Sequence, residues 1–242
     1  MMINTKKKHE NEIAFYDLLR NIRENPFQYL RRPALKYLIC YLDGYVSCSA
    51  WDGYINDKPP ATDHHGDFLE FVRKKHSQKI HTHQHLSKII EFYSPSEEIA
   101  FYNFFELFDG YMKCRKNRTG EILNISEDPS AQDIKNLSAD GLFYKMIKNV
   151  HIATLLPSKS LRYVKHFIDG YTNCANALGL PISSYPKFEA YVRENLDKTS
   201  PNSIYDIIEF YQCTEEQAFH YFFKLLNNFL TGEIGECTMQ AN

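Results

Sequence analysis

Several common signals are missing from this 242-residue chain. No stretch approaches the roughly 18–20 consecutive apolar residues that span a bilayer, so a membrane-embedded protein is not expected. Lys6, Lys7 and Lys8 precede no apolar run, which argues against a secretory signal. A formal net charge of -2 gives no basic field that would recommend direct nucleic-acid binding. The six cysteines, Cys40, Cys48, Cys114, Cys174, Cys213 and Cys237, include no CxxC pair. Cys40, Cys48 and Cys174 fall where helical patterns want small buried residues, and the expectation is reduced thiols in a cytoplasm. The chain lacks GxSxG, GxxxxGK[ST], GxGxxG and HExxH, so no catalytic motif is recognisable and an enzyme is not expected. Strand signals are also absent, since no β-branched run alternates with polar residues.

What the chain does contain is a repeat. Leu35-Lys36-Tyr37-Leu38 through Asp43-Gly44-Tyr45 to Cys48 matches Leu161-Arg162-Tyr163-Val164 through Asp169-Gly170-Tyr171 to Cys174. Phe68, Phe71, Val72 and Arg73 match Phe188, Tyr191, Val192 and Arg193. Ile89-Ile90-Glu91-Phe92-Tyr93 matches Ile207-Ile208-Glu209-Phe210-Tyr211. Glu97-Glu98, Ala100-Phe101, Phe104-Phe105 and Leu107 match Glu215-Glu216, Ala218-Phe219, Phe222-Phe223 and Leu225. The matches keep their order, which chance does not produce.

Each copy reads as helices. Leu35, Leu38, Ile39, Leu42 and Val46 follow helical spacing, as do Phe101, Phe104, Phe105, Phe108 and Met112, and Phe219, Phe222, Phe223, Leu226 and Leu230. Ser96 and Thr214 stand before Glu-Glu pairs as N-caps, and Thr214 with Gln217 fits a capping box. Arg32-Pro33 and Pro157-Ser158 offer starts for the Asp-Gly-Tyr helices. The expected fold is all-α, with two tandem diverged helical units of about four to five helices each. The boundaries fall at a tail over 1–9, a first unit over 10–115, an acidic linker over 116–141, a second unit over 142–232 and a tail over 233–242. A helical piece is expected near Ala131 to Leu137.

Candidate chemistry is sparse. His81, His83 and His85 could ligate a transition metal, but their spacing puts His81 and His85 alone on one helical face. A solvated loop explains them better, and neither a metal nor another cofactor is expected. In the Asp-Gly-Tyr triplets, a mid-helix glycine allows close approach of another helix, and the aspartate is expected to hydrogen-bond a helix end. The insertion from about Trp51 to Asp67 carries Trp51, Asp52, Tyr54, Asp57 and Asp63, an aromatic and acidic loop suited to a basic protein partner. A merely tolerated surface loop is the competing reading. Glu121, Glu127 and Asp128 make the linker a second acidic candidate.

A segment like Asn25-Pro26-Phe27-Gln28-Tyr29-Leu30, then Leu-x-x-[FY]-[LI]-Asp-Gly-Tyr, Phe-x-x-[FY]-Val-Arg and Glu-Glu-x-Ala-Phe-x-x-Phe-Phe-x-Leu, together resemble a known group of proteins. These are small helical immunity proteins of bacterial polymorphic and contact-dependent growth-inhibition toxin systems. The resemblance spans both copies, and duplication sets this chain apart from the usual single unit. It implies a cytoplasmic binding protein that neutralises a cognate toxin domain, often a basic nuclease, by occluding its active site. No binding residue transfers by motif. The alternatives are a helical-repeat adaptor gripping a protein or peptide, and a metal-dependent enzyme or sensor built on the histidines.

Overall fold

The computed structural model describes residues 15–55, 64–76, 86–116, 156–180 and 182–232, with 141, 143, 144 and 147. The side chains at 50–55, 64–67, 115 and 116 fall outside that description. Among the described residues the protein is all helical, with no strand. The helices are α1 (residues 15–24), α2 (Pro26–Tyr29), α3 (Leu35–Ile55), α4 (His64–His76), α5 (Leu86–Phe92) and α6 (Glu97–Lys116) in the first half. The second half has α7 (Leu161–Ala177), α8 (Tyr185–Leu196), α9 (Ile204–Phe210) and α10 (Glu215–Thr231). Residues matched by the repeat occupy α3 and α7, α4 and α8, α5 and α9, and α6 and α10. No described helix is long and apolar enough to cross a membrane.

α3 and α7 form the centre. Each is buried on most of its circumference: Leu35, Tyr37, Leu38, Cys40, Tyr41, Leu42, Tyr45 and Cys48 in one, Leu161, Val164, His166, Phe167, Ile168, Tyr171 and Cys174 in the other. They pack on each other more extensively than any other pair of helices. The contacts are in register. The Tyr37 ring meets the ring of its repeat partner Tyr163 at 5.8 Å, and Gly44 lies against Phe167 and Tyr171 while Gly170 lies against Tyr41. The starts of the two helices meet at Tyr37 and Tyr163, and the glycine contacts further along are reciprocal, so the two run parallel, related by an approximate two-fold axis along their length.

Glycine makes this approach possible. A methyl group on Gly44 would overlap the Phe167 carbonyl oxygen and sit 2.8 Å from its carbon. One on Gly170 would overlap the Tyr41 carbonyl in the same way. Backbone therefore touches backbone, as the triplets led us to expect. The aspartates behave otherwise. Asp169 is bonded at 2.5 Å to Lys165, one turn back on its own helix, not to a helix end. Asp43 has Ile39 in the place of that lysine.

The outer helices repeat one aromatic joint. Phe68 of α4 meets Phe104 of α6 edge-on at 5.5 Å and 86°, and Phe188 of α8 meets Phe222 of α10 at 5.5 Å and 90°. The buried side chains form one continuous cluster from Leu18 to Leu226, so the two halves share a core. Residues 141, 143, 144 and 147 are helical, and Phe143, Tyr144 and Ile147 enter that core. The caps fall where expected: the Ser96 hydroxyl accepts from the Ile99 N–H at 3.2 Å, and that of Thr214 from the Gln217 N–H at 3.1 Å.

Three details depart from expectation. Pro33 and Pro157 lie in bends before α3 and α7, which begin at Leu35 and Leu161. Leu230, at the end of its stripe, is 37% exposed. Residues 51–55, expected to open a loop, are the last turns of α3.

Candidate protein-binding surface

α6 turns its aromatic stripe inward, burying Phe101, Phe104 and Phe105. The opposite face ought then to be polar, and part of it is: Glu98, Glu106, Asp109 and Lys113 are exposed there. Ile99 and Tyr102, one turn apart on that same face, are 44% and 40% exposed. Tyr93, before the turn that leads into α6, packs on α4 instead, its ring stacked on His76 at 4.5 Å and its hydroxyl donating to the His76 carbonyl at 2.9 Å. Ser94 in that turn accepts from Asn103 at 2.9 Å. The result is an exposed apolar pair, Ile99 and Tyr102, edged by carboxylates.

Arg23 of α1 holds that edge in shape. Its guanidinium bonds Glu106 at 2.5 Å and Asp109 at 2.8 Å, and stands over the Phe105 ring at 5.8 Å. Among the described side chains of this face, Glu98, Glu106 and Asp109 outnumber Arg23 and Lys113. These are exposed pairs and add little to stability. Their effect is to fix the direction of the carboxylates.

The repeat provides an internal comparison. At the matching place on α10 stand Glu216, Gln217, His220 and Lys224, with Gln212 and Tyr221 beside them. They line an open cleft of about 600 Å³ together with Thr214. Lys159 bonds Glu216 at 3.0 Å and holds its carboxyl below the ordinary value. One scaffold position thus presents isoleucine and tyrosine in the first half and glutamine and histidine in the second.

A polar cluster lies deeper in the second half. Lys165 neutralises Asp169 and stands over the Tyr205 ring at 5.8 Å. The buried hydroxyls of Tyr185 and Tyr205 bond each other, and burial drives both phenols well above the usual range. Asn173 donates to the Tyr41 hydroxyl at 2.5 Å, joining this cluster to α3. Burial also raises the carboxyl of Asp169, against the pull of Lys165, and that of Glu189. His166 is pushed down to about 3 by burial, with help from Lys165 and Arg31, and stays neutral against the Tyr37 ring at 4.4 Å. In the first half, burial alone raises Asp43 to about 7. His166 and Tyr205 are enclosed by packed helices, whereas the Lys165 and Asp169 side chains stay 36% and 33% exposed, and the arrangement suits helix-to-helix specificity.

The sequence candidates fall largely elsewhere. Trp51, Asp52 and Tyr54 lie in the last turns of α3, with side chains outside the described part. Asp57, Asp63, Glu121, Glu127, Asp128, His81, His83 and His85 lie outside the described residues. So does the expected helical piece near Ala131 to Leu137. Among the described residues, no three histidine, cysteine or acidic side chains converge as a metal site would require. The α6 patch went unread in the sequence although a signal existed: Ile99 and Tyr102 are apolar and fall off the inward stripe.

Compared with known proteins, the chain matches no family model, no curated protein and no solved structure.

Proposed function

We propose that this protein is a bacterial cytoplasmic immunity protein, which binds a cognate toxin domain and blocks its active site. The observation that supports this is the outer face of α6, where Ile99 and Tyr102 stand exposed beside Glu98, Glu106 and Asp109. Aromatic and aliphatic anchors within a polar rim are how protein interfaces hold. An excess of carboxylate around them steers a basic partner, as nuclease domains commonly are. The second half lacks the apolar anchors, so the reading assigns one toxin to the first half.

The test is co-expression with the toxin domain encoded beside the gene. Cells survive with the wild-type protein, and a one-to-one complex survives gel filtration. Death of the cells, with no complex, overturns the proposal. The acidic insertion remains a rival location. Asp57→Lys with Asp63→Lys slows association if the toxin sits there, and leaves it unchanged if the toxin sits on α6.

A further inference from the structure

A single exposed phenylalanine needs no explanation. Two at matched positions of a repeat do. Phe92 closes α5 and is 76% exposed; Phe210 closes α9 and is 83% exposed. Each stands edge-on to the tyrosine that follows it, at 5.1 Å and 87° in one corner and 5.4 Å and 87° in the other. Each follows a glutamate tied back to the central helix of its own half: Glu91 to Lys36 at 3.7 Å, Glu209 to Arg162 at 3.1 Å. Nearby surface has diverged, with Ser94, Ile99 and Tyr102 facing Gln212, Gln217 and His220 across the repeat. The rings have not, and packing within the chain does not explain them, since neither is packed.

Their placement follows from the parallel pair at the centre. Lys36 and Arg162 lie in the first turns of α3 and α7, which begin at the same end of the molecule. Phe92 and Phe210 therefore occupy that end, one on each side of the approximate two-fold axis. Among the described residues, the cations around them are paired within the chain: Arg31 with Asp206, Arg32 with Glu97, Lys36 and Lys88 with Glu91, Lys159 with Glu216, and Arg162 with Glu209 and Glu215. Ion pairs in these numbers leave this end little net charge among the described residues to repel its own likeness. Two exposed apolar anchors in a rim of paired charges, placed alike on either side of a two-fold, form a face that the same face of a second copy can cover.

We infer that this end is the contact between two copies of the chain, with Phe92 and Phe210 of each copy buried against the same end of the other. The inference does not depend on the toxin reading, which uses the side of α6.

Sedimentation velocity of the full chain, from low to high micromolar concentration, tests it. The wild type runs as a dimer that strengthens with concentration and changes little with added salt, because its charges are already paired. Phe92→Ser with Phe210→Ser runs as a monomer with unchanged far-ultraviolet circular dichroism, and each single variant weakens the dimer at least tenfold. A wild type that is monomeric throughout overturns the inference. So does a dimer that persists in the folded double variant, or a monomer in which the double substitution abolishes binding of the toxin domain instead.

Discussion

Replacing Gly44 by alanine ought to help a helix: alanine is favoured over mid-helix glycine by about 1 kcal/mol. Here the added methyl meets the Phe167 carbonyl at overlapping distance and the Tyr171 nitrogen at 3.0 Å, and both are backbone. No side chain can rotate away, so α3 and α7 must separate. Separation loosens the buried Tyr37, Tyr41, Tyr45, Phe167 and Tyr171 between them. Overpacking of this kind costs up to about 3 kcal/mol or more, leaving a net loss of about 2 kcal/mol after the propensity gain. For a chain of this length that lowers the melting temperature by roughly 4–8 °C. Gly170→Ala should do the same. The pair together should cost at least about 1 kcal/mol less than the sum of the singles, because one separation admits both methyls. Gly110 serves as the control, since it belongs to another of the chain's four Asp-Gly-Tyr triplets, within α6. Its methyl would touch the Phe71 ring at an ordinary 3.5 Å, so Gly110→Ala should raise stability by about 0.5–1 kcal/mol. Urea denaturation followed by circular dichroism measures all four variants. If Gly44→Ala stabilises as Gly110→Ala does, or if the two central alanines are additive, the close parallel contact is wrong.

Asp43 should make stability fall with pH. Burial holds its carboxyl at about 7 in the folded protein, so between about pH 4 and 7 the folded state keeps a proton that the unfolded chain has lost. Each pH unit in that window removes up to about 1.4 kcal/mol. Asp43→Asn should therefore gain on the wild type as pH rises to 7 and then level off; equal differences at pH 5 and pH 8 would contradict this. Lys165→Ile gives the second half the arrangement found around Asp43. It should cost about 1–3 kcal/mol at pH 8 and less at pH 5, by the same denaturation measurement, because Asp169 loses its counter-charge. Thr214→Ala removes the cap of α10 and should cost about 1 kcal/mol, whereas Thr214→Ser should restore most of it.

The helical fold was legible because its stripes are long. Phe101 to Met112 and Phe219 to Leu226 keep one period over several turns, and Ser96 and Thr214 mark where those helices begin. The glycine contact was legible in kind but not in place, because the triplet at Gly110 reads the same and meets no backbone. What separates them is that α3 and α7 are apolar on most faces, whereas α6 has one apolar stripe. The exposed Phe92 and Phe210 were hidden by shortness. α5 and α9 have seven residues each, too few turns for periodicity to tell an inward ring from an outward one. The repeat then misled, since shared residues read naturally as scaffold while these two face water. The two halves joining in one core could not be read either, because no local pattern records which helix a buried face meets.

The functional account depends most directly on the affinity of the purified toxin domain for the wild-type chain and for Ile99→Ser with Tyr102→Ser. Both side chains are partly exposed, so the variant should keep its helicity and its melting temperature. Loss of two interface anchors should weaken binding by about 2–4 kcal/mol, or roughly 30- to 1000-fold, mostly through faster dissociation. A folded variant that binds as tightly as the wild type would remove the toxin from the face of α6.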